Sequence, residues 1–340
     1  KHLANPARFG VVTGSGMMTG DFQHLERFQQ ATAPAGDIDW ARLASAGDDF
    51  YRLDDFGRTA SNSGLSLLIQ EFGMTGYANS VHTACASGGQ ALGLAMQVIR
   101  RGEADYMLAG GFDSMINPLG VSSFCLLGAL SPNNDSPETA SRPFDGARNG
   151  FVLGEGAAFL VLESWEKAKA RGARIYAELA GAGNSLSSYR ITDSHPNGDG
   201  AIQAIAGALK DGGVSPSEVD YINAHGTSTK MNDLSETNAI KAVFGEHAKQ
   251  IPVSSTKSQT GHLIAAAGAL EAVVSTLAIQ AEKIPMTQNQ TTPDSDCDLD
   301  YVPEGPRNKA LGAVLSNSFG FGGSNSCLLF KHPEFEERGA

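Results

Sequence analysis

SVHTACASGGQALGLAMQVIRRGEADYMLAGG, residues 80–111, decides the fold. Its opening reads as a short strand over 80–84, its middle as a helix over 86–101, and its end as a strand over 106–109 that stops at Gly110-Gly111. Within the helix, Leu92, Ala95, Met96 and Ile99 recur on one face, and Gly102 supplies the stop. A strand, a helix and a strand in so short a stretch are the grammar of an α/β protein.

Outward from this stretch the pattern repeats. Residues 9–13 (FGVVT) read as a buried strand running into a glycine turn at 14–16. Further strands are predicted over 157–162, 175–179, 219–223, 251–254, 313–317 and 327–330. Helices are predicted over 164–171, 200–211, 234–244 and 262–280; Ser164 is the N-cap of the first and Gly172 its stop, and the last is long and alanine-rich. Residues 131–150 lack periodicity and are full of turn formers, so they read as a long surface loop, a kind of segment that often carries function. Two halves of similar grammar point to an internal duplication, although no sequence period is visible.

Composition narrows the function classes. The 340 residues carry 25 Lys+Arg against 37 Asp+Glu, a net charge of −12, which argues against a nucleic-acid partner because phosphate binding needs a basic surface. The hydrophobic share of 41% can build a large core, and the 40 glycines are spread rather than clustered. No apolar run of about 18 residues stands out as a membrane span, and no secretory signal is visible, so a cytoplasmic protein without membrane insertion is expected. The cysteines, Cys85, Cys125, Cys297 and Cys327, are too far apart for a C-x-x-C motif and suggest a reduced chain.

Four places could carry chemistry. Cys85, in TACASGG, sits at a strand-to-helix turn, where the helix dipole would lower its pKa; a buried structural cysteine is an equal reading. His225, in NAHGTST, follows a strand at the carboxyl edge where open sheets place ligands, with Thr227 and Thr229 beside it. His262, in KSQTGH, opens the alanine-rich helix, whose N-terminus would keep the imidazole neutral; Lys257 precedes it, and Glu271 on the same helix could pair with that lysine. Phe321 lies in the glycine loop GFGGSN, which lacks the pattern of a phosphate-cradling P-loop. One cysteine and two histidines suggest a thiol nucleophile with two imidazoles. A zinc site is the lesser reading, because no short ligand spacing supports it.

In this order, TACASGG, NAHGTST, KSQTGH and NSFGFGG resemble the β-ketoacyl-acyl-carrier-protein synthases, the elongating condensing enzymes of the thiolase superfamily, over residues 9–331. FVLGEGAA and SRPFD, within 141–159, are similar to the bacterial synthase II group. The resemblance implies a duplicated αβαβα fold, with residues 1–163 carrying the nucleophile and 164–340 carrying both histidines and the gating loop. It implies an acyl-accepting Cys85, a triad completed by His225 and His262, and Lys257 as support with Glu271, Asp233 and Glu236 in its charge network. Thr227 and Thr229 would bind the pantetheine arm. Phe321 would gate the site, its backbone N–H joining that of Cys85 as an oxyanion hole, and Met17 would line the acyl pocket.

The same resemblance implies decarboxylative condensation of malonyl thioester with an acyl group on Cys85, with no metal and no cofactor beyond the phosphopantetheine arm of the partner, an acyl carrier protein. A homodimer is expected, with a heterodimer as the other arrangement. The family also implies an opening strand–loop–helix block ahead of residues 9–13, absent from the sequence given, which further residues or another chain would supply. Gly128 stands in place of a basic carrier contact, and Ser187 and Arg190 in place of an Asp and a His. Two alternatives remain: a non-catalytic chain-length partner subunit, which would lack Cys85, and a coenzyme A-dependent thiolase, which would need a second cysteine where Phe321 stands.

Overall fold

The computed structural model describes residues 5–16, 22–33, 36–50, 57 and 59–335. Its first sheet has the order β2-β1-β3-β4, formed by β1 (Phe9–Ser15), β2 (Ala78–Val81), β3 (Tyr106–Ser114) and β4 (Glu155–Glu163). β1 pairs in parallel with β2 and β3, and β4 closes the sheet antiparallel to β3. The second sheet is built from β5 (Glu178–Leu186), β6 (Tyr221–Asn223), β7 (Val253–Ser254), β10 (Ala313–Phe319) and β11 (Ser324–Lys331), in the order β5-β11-β10-β6-β7. Between them in sequence, β8 (Lys283–Ile284) and β9 (Arg307–Asn308) form a small ribbon.

Side-chain alternation sorts these strands into layers. Val11 faces outward with Phe9 and Met74, against Leu65, Leu68 and Ile69 of the helix Ser63–Phe72. Val12 faces the other way, into a core with Met107 and Ala109 of the first sheet and Tyr221, Val314 and Leu328 of the second. Two helices fill that space: Ser87–Arg100, through Leu92, Ala95 and Val98, and Ala267–Ala281, through Ala272, Ala278 and Ile279. The far face of the second sheet packs against the helices Asp199–Gly212 and Lys230–Phe244 through Ala204, Ile205, Ala208, Ala239 and Ile240. The result is the five-layered αβαβα arrangement that the resemblance implies.

The two central helices cross without room for a side chain. A Cβ on Gly88 would stand 2.8 Å from Ala269 N, and one on Gly268 would stand 2.9 Å from Gly89 N. Each helix is entered in the same way. Ala84 (φ +49) begins the 3₁₀ turn Ala84–Ala86 ahead of Ser87, and Ile264 (φ +46) begins the 3₁₀ turn Ile264–Ala266 ahead of Ala267. The duplication suspected from the grammar is thus visible as a repeated left-handed entry turn.

Several predicted elements need correction. β3 runs on through Gly110-Gly111 to Ser114, since both glycines pair with β1 and β4. The strand predicted over 175–179 is Glu178–Leu186. The helix predicted over 262–280 starts only at Ala267. Residues 131–150 are not a surface loop throughout: Ser141, Phe144, Asp145 and Arg148 are buried. One carboxylate oxygen of Asp145 accepts the N–H groups of Thr291 (2.7 Å) and Thr292 (2.6 Å), which ties the segment inward. One described stretch, Ile264–Ala281, is long and apolar enough to cross a membrane by length and composition, contrary to the sequence expectation. It is 67% buried, and its carboxylate, Glu271, is paired inside the fold.

Candidate active site

Cys85 sits in the first entry turn. Ser87 fixes that turn, its hydroxyl accepting the N–H of Thr83 (2.9 Å) and donating to the carbonyl of Ala84 (2.6 Å). The thiol is buried among Phe124, Phe151 and Ile264. His262 Nε2 lies 3.1 Å from its sulfur. The other ring nitrogen, Nδ1, accepts the N–H of Ile264 (3.2 Å), so the imidazole hydrogen stands on Nε2 and points at the sulfur. Leu263, at φ −82 and ψ 19, turns this N–H back onto the ring.

His262 is therefore not at a helix N-terminus. It is held in extended backbone, its N–H donated to Val152 O (2.7 Å) and its carbonyl accepting Gly154 N–H (2.9 Å). Burial first, and then the nearby Lys257, push its pKa well below the usual histidine value. His225 shifts the same way, by burial and then by Lys257 and His262. Both rings are neutral at pH 7, and they meet edge to face with centroids 5.3 Å apart.

Backbone bonds hold His225 in place. Glu236, on the helix Lys230–Phe244, accepts the N–H groups of His225 (2.9 Å) and Gly226 (2.8 Å) and is steadied by Asn317 (3.0 Å). Lys257 Nζ donates to the His225 carbonyl (2.7 Å) and pairs with Glu271, and both side chains of that pair are 2% exposed. Burial lifts Glu271 to about 7 against the pull of the lysine.

The Asp233 side of the network differs from expectation. One of its oxygens accepts Thr227 N–H (3.0 Å) and the other Phe144 N–H (2.8 Å), and its cationic partner is Arg148 (3.4 Å), not Lys257. The sequence reading missed Arg148. The available signal was the run Arg142, Asp145, Arg148, charges spaced three apart in a stretch rich in turn formers.

The Phe321 loop closes over the thiol. A Cβ on Gly320 would stand 2.8 Å from Thr83 O, so only glycine brings this loop so near the nucleophile turn. The backbone N–H groups of Phe321 and of Cys85 both act on the sulfur. Gly322 donates to Ile191 O (2.7 Å), and Ser187 donates to Gly323 O (2.8 Å), so residues 187–191 carry the loop. Gly128 lines the same cleft; Arg190 stands outside it beside Asp193 (3.5 Å).

A cleft of about 240 Å³ leads to Cys85, His225 and His262, lined by Thr227, Thr229 and Phe321 among others. The two threonine hydroxyls are 2.9 Å apart on its wall. Between them Ser228 adopts φ +69, a left-handed conformation that costs a non-glycine residue about 1–2 kcal/mol. Met17 lies outside the described residues.

The thiol itself departs from the sequence reading. Its pKa is not lowered but pushed up to about 12; burial outweighs Lys257 and the two N–H groups. Alkylation of Cys85 by iodoacetamide, followed by peptide mapping, should therefore climb about tenfold per pH unit from pH 7 to 9, as the thiolate fraction does below its pKa. A plateau below pH 8 would restore the dipole account.

The sulfur and the ligand-capable ring nitrogens lie within 4.8 Å of one another, close enough to share a metal ion. The donor set does not fit one, because the His262 nitrogen facing the sulfur already carries the hydrogen. A neutral Nε2–H facing the thiol is chemically suited to donating a hydrogen bond to an oxyanion.

Comparison with known proteins finds relatives over most of the chain. The family profile for the N-terminal domain of β-ketoacyl synthases matches residues 2–168, and that for the C-terminal domain matches residues 176–291. The 3-oxoacyl-[acyl-carrier-protein] synthase 2 of Synechocystis sp. is 50% identical over 271 residues, 80% of this chain and 65% of its own length. The protein of the same name from Coxiella burnetii is 43% identical over 96% of this chain and 75% of its own. Among solved structures, the ketosynthase of a type II PKS, in complex with its acyl-carrier protein and bound to the hexaketide, superposes with TM-score 0.88 at 39% identity, over 96% of this chain and 78% of that one.

Proposed function

From the premise that this chain belongs to the β-ketoacyl synthase family, we propose that it is an acyltransferase, a 3-oxoacyl-[acyl-carrier-protein] synthase that condenses malonyl-carrier protein with an acyl group held on Cys85. The observation that carries this reading is the His262 Nε2–H aimed at the Cys85 sulfur over 3.1 Å, with a second neutral imidazole facing it.

The steps follow from the residues. The Cys85 sulfur attacks the acyl thioester and its proton passes to the departing pantetheine thiolate. Meanwhile the N–H groups of Cys85 and Phe321 hold the tetrahedral oxyanion. The released arm leaves the cleft, and malonyl thioester takes its place between Thr227 and Thr229. Loss of CO₂ puts negative charge on the thioester oxygen, which His225 and His262 meet as neutral donors. The carbon so formed attacks the acyl carbonyl; the new C–C bond forms, the C–S bond to Cys85 breaks, and the thiolate takes up a proton. Lys257 and Glu271 fix the His225 carbonyl behind the ring. No metal or redox group is called for. His225→Ala should lower CO₂ release from malonyl-carrier protein by about 10²–10³-fold, the range for losing one oxyanion donor; unchanged release would remove His225 from this role.

The division at 163/164 belongs to the same reading, since the strands of each sheet fall on one side of it. So do the acyl-pocket role of Met17, the acyl-carrier partner and a cytoplasmic location. A second subunit, identical or not, is supported by apolar side chains left bare at Ile116, Leu119, Leu126 and Leu127.

A further inference from the structure

We propose that Arg148 is the positioning residue of the two-threonine wall, setting where the substrate's amide-bearing arm is held. The inference rests on the reading of Thr227 and Thr229 as the arm's binding site and names a residue that governs it.

The wall is a short loop whose middle residue, Ser228, is left-handed; residues 142–150 hold its middle and far end, and Asp233 holds Thr227 N–H through its carboxylate and donates its own N–H to Thr229 O (3.3 Å). Arg142 N–H donates to Ser228 Oγ (3.0 Å), and Gly150 N–H donates to Ser228 O (3.0 Å). Arg148 then takes the next two carbonyls, donating from Nε to Thr229 O (3.3 Å) and from Nη2 to Lys230 O (3.1 Å). Its Nη1 is anchored on Asp145 O (2.9 Å) and on the Asp294 carboxylate. It also faces Asp233, whose other oxygen holds Thr227 N–H. The guanidinium thus touches the loop at its far end directly and at its near end through Asp233.

The side chain is 4% exposed and does not line the cleft, so it acts on the arm only through the threonines. Arginine is the residue for this place. Its planar fork can serve two adjacent carbonyls and two carboxylates in fixed directions, whereas a lysine ammonium is a point charge on a flexible stem. With the fork gone, the Thr227–Thr229 hydroxyl pair loses its register relative to Cys85, but neither the sulfur nor either imidazole loses a partner.

The test compares two acyl donors in the acylation of Cys85, followed by intact mass spectrometry. One is hexanoyl-pantetheine, which carries the amides of the arm; the other is the S-ethyl thioester of hexanoic acid, which carries none. Arg148→Lys and Arg148→Met should lower the ratio of kcat/KM for the first over the second by tenfold or more, with most of the change in KM for hexanoyl-pantetheine. A ratio within twofold of the parent protein's overturns the proposal. Should both variants fail to fold, Asp294→Asn loosens the outer anchor of the fork without burying an unpaired charge. It should lower the same ratio at least threefold, and an unchanged ratio there also overturns the proposal. A parent protein with no preference for the arm-bearing donor defeats the threonine reading instead, and one that is not acylated at all defeats the synthase reading, so the failures are distinguishable.

Discussion

Cys85→Ala carries no acyl group after incubation with acyl-carrier protein: intact mass spectrometry should show the bare chain where the parent protein gains one acyl mass. Condensation should fall below detection, on the order of 10⁶-fold, as for other enzymes stripped of the nucleophile in a set that acts as a unit. Alanine fits the space, since the entry turn is fixed by Ser87 and not by the sulfur. Decarboxylation should persist in the same variant. His262 is oriented by Ile264 N–H and His225 by Glu236 and Lys257, so neither ring depends on the thiol for its place. An acyl adduct on the alanine variant would overturn the nucleophile assignment.

Lys257→Met should cost about 3–5 kcal/mol of folding stability, because it strands the buried Glu271 carboxylate without its cation. Urea unfolding measures this directly, and Lys257→Met combined with Glu271→Leu should recover at least half of it, since an apolar pair of similar volume is close to neutral. The loss has a pH signature. Burial lifts Glu271 from 4.5 to about 7, so the folded state keeps a proton that the unfolded chain gives up. Its contribution to stability is greatest below pH 4.5 and declines as pH rises through 7. Without Lys257, which pulls the value down, the carboxyl rises further and the decline extends to higher pH. The single variant should lose more at pH 8 than at pH 6; equal losses would show that Glu271 is not the group left stranded.

What could be read from the sequence was whatever repeats locally. The helix Ser87–Arg100 and the strand at residue 9 follow from the spacing of Leu92, Ala95 and Met96 and from the run FGVVT. β5 was misplaced because ELAGAGNSL looks like a turn. Its glycines are there because the helix Asp199–Gly212 lies against the strand: a Cβ on Gly183 would come 2.0 Å from Ala204 O. That requirement is tertiary and leaves no period behind. The site shows the same limit. TACASGG and NAHGTST brought out Cys85 and His225, but the direction of the thiol's pKa shift follows from burial and could not be read from helix position. The role of Arg148 could not be read because, beside Asp145, its partners are the carbonyls of residues 229 and 230 and the carboxylate of Asp294, a long way along the chain.

The left-handed entry turns carry a consequence for how the protein comes into being on the ribosome. Cys85 belongs to the first entry turn, His262 to the extended stretch just ahead of the second, and Phe321 to the link between β10 and β11. β11 is also the strand that joins β5, about 140 residues earlier, to the rest of its sheet. Contacts of such separation in sequence form late, after the loop-closure entropy has been met. During synthesis the thiol is therefore made early, and the surroundings that Phe321 and β11 complete come only once β11 has left the exit tunnel. A nascent chain arrested before residue 324 should gain no acyl mass on incubation with acyl-carrier protein, as intact mass spectrometry would show.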